Sequence, residues 1–236
     1  MTQNIQVLAV IPARGGSKEV PRKNLARVAG VSLVARTIEF AKESKLFDHI
    51  HVSTDDPEIA NEASKFGLKP EFLRSDGASS DRASSSDVLL DVRHQFANMG
   101  CYMNRYVLLE PTSPMREAKY VKESIELTNS KFDASLTLSP VDARYHPDKQ
   151  FKISNESCAE FLTERGRGVV ARQELSRTYI RNGFCYVVTD VALLSEKSIF
   201  GSKLGAVICD IPFINIDSHD DLERCRAYFE DKDHGS

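Results

Sequence analysis

Residues 11–24 read IPARGGSKEVPRKN, placing Gly15, Gly16 and Ser17 among the cations Arg14, Lys18, Arg22 and Lys23. Small residues let backbone N–H groups approach an anion closely, and the cations can neutralise several negative oxygens. That combination suits a phosphate group. The spacing departs from the G-x-x-x-x-G-K-[ST] loop and from G-x-G-x-x-G. A solvated basic loop is the other reading. Its place directly after an apolar run favours phosphate, because ligands of open parallel sheets sit beyond the carboxyl ends of the strands.

The elements that must position this loop alternate along the chain. Residues 5–11 (IQVLAVI) predict a buried strand, and residues 32–44 a helix with Leu33, Val34, Thr37, Ile38, Phe40 and Ala41 along one stripe. Strands are predicted at 49–53, 105–109, 132–138, 184–188 and 206–211. Helices are predicted at 57–66, with Pro57 in the first turn, at 87–97, at 116–128 and from about 219. The pattern is that of an α/β fold, a mostly parallel sheet with helices on both faces. It loosens between about 140 and 182, where a subdomain or dimerisation arm is expected inside a single domain spanning 1–236.

A chain of 236 residues, 41% hydrophobic and with a net charge of −3, can bury one sizeable core. That charge gives no reason to expect nucleic-acid or membrane partners. No apolar stretch reaches the roughly 20 residues a bilayer requires, and the start lacks the charged region of a signal peptide. The 5 cysteines are odd in number and form no C-x-x-C pair, so buried free thiols in a reducing cytoplasm are expected rather than a zinc site. His146, before Pro147, reads as a turn residue rather than a catalytic base.

VLAVIPARGGSKEVPRKNL resembles the signature of the CMP-sialic acid synthetase (acylneuraminate cytidylyltransferase) family, IPARGGSKGIPRKNL. Further segments match in the family's order: VSTDDPEIA, RSDGASSDRASSSDVLLDV, LLEPTSPMR, YHPDK, ARQELSRTYIRNGFCYV and NIDSHDDL. The resemblance implies a Rossmann-like sheet of the nucleotide-diphospho-sugar transferase type. It also implies a cytoplasmic enzyme that couples CTP to the anomeric hydroxyl of a 2-keto sugar acid and releases pyrophosphate. A nucleotide-binding homologue with little or no activity is the alternative.

By that resemblance, Arg14, Gly15, Gly16, Ser17, Lys23 and Asn24 meet the nucleotide, with Arg14, Lys23 and Asp217 catalytic. Arg74, Ser84 and Ser85 fall on positions for cytosine and ribose, with Asp81 supporting their loop. Glu110, Lys149, Arg172, Tyr186 and Phe200 match positions around the sugar. Asp217 and Asn215 match those of a magnesium site, with manganese as a substitute, and the 140–182 region implies a homodimer.

Three positions depart from the family. Glu19 replaces a glycine and is expected to point to solvent. Glu110 replaces a glutamine, and an ionised carboxylate only accepts hydrogen bonds, so it can recognise an amino or hydroxyl group on a different sugar. Asn215 replaces an aspartate, leaving Asp217 as the carboxylate and predicting weaker magnesium binding. Asp220 and Asp221 read as helix-start residues rather than ligands.

Overall fold

A computed structural model describes residues 6–234 apart from 18, 81, 130, 155–156, 169–170, 172 and 174. In chain order its elements are β1 (Val7–Pro12), β2 (Arg27–Val28), β3 (Val31–Ser32), α1 (Leu33–Ser44), β4 (His49–Ser53), α2 (Pro57–Lys65), α3 (Asp76–Ser79), α4 (Ser85–Asn98), β5 (Arg105–Leu108) and α5 (Ala118–Leu127). There follow β6 (Ala134–Pro140), β7 (Phe151–Ile153), β8 (Ala159–Phe161), β9 (Tyr179–Thr189), α6 (Asp190–Glu196), β10 (Leu204–Ile208) and α7 (His219–His234).

The central sheet has 6 strands in the order β10-β6-β9-β5-β1-β4. β1 runs parallel to β4 and β5, and β10 parallel to β6, while β9 lies antiparallel between β5 and β6. Apolar side chains pack on both faces of β1: Leu8 and Val10 against α4, and Ala9 and Ile11 against α1 and α2. Burial on both faces is what makes such a strand read as a continuous apolar run.

Helix starts follow the local chemistry. Ser32 accepts the Ala35 N–H at 3.3 Å, and Asp56 accepts that of Glu58 at 2.7 Å with Pro57 in the first turn. Ser84 and Asp87 close a reciprocal capping box on α4. Asp221 does the same for α7, accepting from the Ser218 N–H at 3.0 Å while Ser218 Oγ accepts the Asp221 N–H at 3.2 Å. His146 is a turn residue too, with Nδ1 accepting the Asp148 N–H at 3.1 Å.

Some elements differ from expectation. β9 begins five residues before 184, because its first part pairs with the end of β6 beyond a register shift. The described residues of 141–178 form the loosened segment and include 3-10 turns and the β7–β8 hairpin. Its Tyr145, Phe151 and Ile153 side chains lie exposed, Ile153 at 69%. Cys185, Cys209 and Cys225 are buried thiols, but Cys101 and Cys158 are exposed, because they sit in loops rather than in core-facing elements.

Candidate active site

β1, β4, β5 and β10 end on the same edge of the sheet, and the antiparallel β9 begins there. A cavity of about 650 Å³ opens at this edge. It brings together Arg14, Ser17, Lys23, Asn24, Arg74, Ser84, Ser85, Glu110 and Asp217, which come from well-separated parts of the sequence.

The basic loop is held from below by neighbouring strands. The Gly15 N–H donates to Asp55 Oδ1 at 3.0 Å, so this N–H is not free for an anion as the loop chemistry suggested. Asp56 presses on the same residue, and a Cβ at position 15 would come 2.5 Å from its carboxylate, so only glycine fits. Gly16 is exposed beside it. Ser17 Oγ accepts the Lys23 N–H at 3.2 Å, and the buried Asn24 donates to the Arg14 carbonyl at 2.9 Å. Arg22, grouped above with the phosphate cations, turns away. Its left-handed backbone (φ 57°) sends the guanidinium to Glu58 and Asp56 on α2. Lys18 and Asp81 lie outside the described residues.

Lys23 bridges the loop to the C-terminal segment. Its Nζ donates to the Ile216 carbonyl at 2.8 Å and to Asp217 Oδ1 at 3.1 Å. Arg74 is buried behind the cavity, donating through Nε to Ser53 Oγ at 2.9 Å and through a second nitrogen to the Ser53 carbonyl at 2.5 Å. Burial lowers its pKa, with Asp55 and Asp91 opposing. The α4 N-terminus opens into the cavity through Ser84, Ser85 and Val88, and the dipole of this 14-residue helix favours negative charge there. Ser84's hydroxyl is committed to capping, so its exposed edge rather than a free O–H borders the space.

Glu110 lies partly buried in the cavity wall, within electrostatic reach of Asp217 and Lys23. Desolvation pushes its carboxyl up and nearby Asp217 adds to that, while Arg116, Arg181 and Lys23 pull it down. Arg116, given no role by sequence, underpins this corner. Its buried guanidinium donates to the Phe184 carbonyl at 3.0 Å, to Thr37 Oγ1 at 3.3 Å and to the Glu110 carbonyl. Burial brings its pKa down to about 10. Tyr186 is buried and meets Phe200 edge-on at 6.3 Å, behind rather than on the cavity wall. Burial, with Glu110 adding to it, raises the Tyr186 phenol to about 12.

Asn215 Oδ1 accepts the Ser113 hydroxyl at 3.0 Å, which occupies one of its lone pairs. Asp217, with its side chain 70% exposed, borders the cavity. Among the described residues no group of three or more His, Cys, Asp or Glu side chains could hold a metal by itself. Asp217 as one carboxylate ligand still fits magnesium, which takes one or two protein carboxylates and completes its shell with phosphates and water. Glu19 is exposed as expected, yet it also borders the mouth. Lys149 is exposed on the 141–178 segment, away from the cavity lining, and Arg172 lies outside the described residues.

Pro111 and Thr112 join the lining without having been singled out, while Ser113 supports Asn215 and Arg181 lies within electrostatic reach of Glu110. LLEPTSPMR was legible as one segment, but nothing in it separates lining residues from supports. The apolar run 184–188 placed the strand start too late to include Arg181.

Known proteins resemble this chain in sequence and in fold. The chain is 34% identical over 206 residues to a CMP-N,N'-diacetyllegionaminic acid synthase of Legionella pneumophila, covering 83% of each chain. It is 30% identical over 227 residues to a pseudaminic acid cytidylyltransferase of Campylobacter jejuni, covering 94% of this chain and 96% of that one. A CMP:2-keto-3-deoxy-manno-octonic acid synthetase complexed with CTP shares the fold, with a TM-score of 0.72 at 19% identity over 96% of this chain and 99% of the other. Residues 8–230 match the family model described as Cytidylyltransferase, and the chain belongs to that family.

Proposed function

We propose that this chain transfers the cytidylyl group of CTP to the anomeric hydroxyl of a 2-keto sugar acid, as its named relatives' products and substrates suggest. The observation that carries the reading is one cavity lined by Arg14, Lys23, a helix N-terminus, Glu110 and Asp217. The triphosphate lies over the basic loop, and the sugar lies toward Glu110. The hydroxyl oxygen bonds to the α-phosphorus as the bond to the β-phosphate oxygen breaks, and pyrophosphate leaves.

Phosphoryl transfer depends on positioning and on neutralising charge. Lys23 is fixed by the Ile216 carbonyl and Asp217, so its ammonium is preorganised where charge grows on the leaving group. Arg14 adds a second cation, and its carbonyl is steadied by Asn24. Ser85 and the end of α4, with Arg74 beneath, border the space for ribose and cytosine. Asp217 would hold magnesium, with the Asn215 carbonyl as a neutral and weaker partner. When bound, that ion offsets phosphate charge and orients the triphosphate.

The exposed apolar side chains of residues 145–153 support a homodimer in which this segment reaches a second copy and carries Lys149 toward the sugar. No helix among the described residues is long and apolar enough to cross a membrane, and dependence on CTP supports a cytoplasmic setting.

Pyrophosphate release tests the function. All four nucleoside triphosphates are assayed against a panel of 2-keto sugar acids with magnesium or manganese. Release confined to CTP with a sugar acid supports the reading. Release without a sugar, or equal rates with UTP, contradicts it, because an unmatched base edge leaves buried polar groups unpaired.

A further inference from the structure

His51 lies on β4, the strand at one edge of the sheet, two residues before Ser53. Its ring is fully buried, 4.3 Å from the Phe72 ring centre and 5.6 Å from that of Phe96. Nδ1 meets Glu71 Oε2 at 2.7 Å. Desolvation alone would raise the Glu71 carboxyl, but the His51 hydrogen bond, a backbone hydrogen bond and the nearby imidazoles of His51 and His49 hold it below its ordinary value. Glu71 is therefore an ionised acceptor, and the proton between the two groups belongs to His51 Nδ1. The other ring nitrogen, Nε2, is buried with no hydrogen-bond partner among the described residues. A phenylalanine would fill this aromatic slot without leaving a polar atom unpaired, which is unfavourable in a core. What histidine adds is a donor aimed at Glu71, so direction rather than packing accounts for it.

Glu71 opens the short segment that carries Arg74. The Arg74 N–H donates to the Thr54 carbonyl at 2.8 Å and its Nε to Ser53 Oγ at 2.9 Å, so β4 and the residue after it hold both ends of 71–74. The ties from α4 are longer: Asp91 accepts the Ser75 N–H at 3.3 Å, and Gln95 donates to the Leu73 carbonyl at 3.4 Å. Arg74 lines the cavity, and no hydrogen bond among the described residues engages its third guanidinium nitrogen. We propose that the His51–Glu71 pair positions this segment, and through it Arg74, for the nucleotide. The proposal rests on the cytidylyltransferase reading above. His51 and Glu71 are positioning residues, since neither lines the cavity and Arg74 is the member that does. A guanidinium already fixed through two nitrogens loses little further freedom when a ligand meets the third. Without the Glu71 tie, residues 71–73 gain freedom that CTP binding must then remove.

Calorimetry with magnesium present gives the CTP Kd, and pyrophosphate release with a 2-keto sugar acid gives kcat and the sugar KM. The Glu71 side chain is 44% exposed, so Glu71→Ala opens no core cavity. It should raise the CTP Kd about tenfold, equivalent to about 1.4 kcal/mol and the scale of one hydrogen bond to a charged group. The kcat at saturating CTP and the sugar KM should not change. Glu71→Gln keeps an oxygen that accepts from Nδ1 and should bind CTP as wild type does. His51→Phe fills the slot and should weaken CTP binding as Glu71→Ala does, while Tm holds or rises because the unpaired Nε2 is gone. In an Arg74→Ala background, Glu71→Ala should add nothing further to the Kd, since the coupling runs through Arg74. A pair that served folding alone would lower Tm in both variants and leave the Kd where it was. An unchanged CTP Kd in Glu71→Ala overturns the proposal, as does an equal loss with and without Arg74. Wild type that binds CTP yet releases no pyrophosphate with any sugar acid overturns the cytidylyltransferase reading while the positioning role still stands on the Kd. Wild type that binds no CTP overturns both.

Discussion

At the proposed phosphate end of the cavity, the lining side chains are tied to other parts of the chain: Lys23 to Ile216 and Asp217, and Asn24 to the Arg14 carbonyl. At the proposed sugar end, no hydrogen bond or ion pair engages the Glu110 carboxylate among the described residues, and Lys149, exposed on the 141–178 segment, lies away from the cavity lining. The triphosphate is the same in every turnover and carries the charge that develops in the transition state, so rigid donors there lower the barrier most. On the proposed reading, the sugar end chooses among similar substrates. Groups left unpaired until the substrate arrives make that choice by the cost of a mismatch.

The first way to break this comparison is to remove a fixed cation. Lys23→Ala should lower kcat by about 10²-fold or more, with a smaller change in the CTP Kd, because the lost contact is strongest in the transition state. Steady-state kinetics beside calorimetry separates the two effects. An unchanged kcat would remove the phosphate end's claim to preorganisation.

A smaller effect is expected from the exposed hairpin. Ile153→Glu places a charge on a 69% exposed apolar side chain that the proposed dimer would cover. The sugar KM should rise about tenfold, equivalent to about 1.4 kcal/mol, while CTP affinity stays fixed. Light scattering should show a shift from dimer to monomer. If the variant behaves as wild type in both assays, this segment does not complete the sugar end.

Asn215→Asp sharpens the boundary between the ends. A second carboxylate strengthens attraction for a hard cation, so the magnesium concentration for half-maximal rate should fall several-fold while kcat at saturating magnesium changes little. Ser113 would remain as a donor to the new carboxylate, as it is to the amide now. A higher magnesium requirement would show that position 215 serves Ser113 rather than the ion.

The smallest effect should come from Ser84→Ala, which removes the hydroxyl that caps α4. Loss of an N-cap costs about 1 kcal/mol, or roughly 2–4 °C in Tm for a chain of this size. Thermal unfolding measures it. Turnover should change less than with Lys23→Ala, since the α4 N–H groups at the cavity remain.

The basic loop of the proposed phosphate end was legible in the sequence because residues 11–24 are contiguous and follow the first apolar strand, whereas Asp217 and the start of α4 came only with the resemblance. The alternation of strands and helices was legible for a similar reason, since each element carries its own periodicity and cap. The sugar end is assembled from residues far apart, and only the resemblance pointed to Glu110, Tyr186 and Phe200. Arg181 escaped notice because β9 continues past a register shift that apolar pattern does not record. Arg116 escaped because two of its three acceptors are backbone carbonyls, which leave no signature in side-chain type. Arg22 was misread because a left-handed backbone turned a cation of the loop outward.

The most direct test of the central claim measures the two ends in one assay: pyrophosphate release by wild type and Lys23→Ala across CTP, UTP and the panel of 2-keto sugar acids. A prebuilt phosphate end and a substrate-completed sugar end predict that wild type needs CTP and discriminates among the sugars. They also predict that Lys23→Ala slows every accepted sugar by a similar factor and keeps the order of preference. If Lys23→Ala instead reordered the sugars while leaving the rate on the best one unchanged, the division between the two ends would be contradicted.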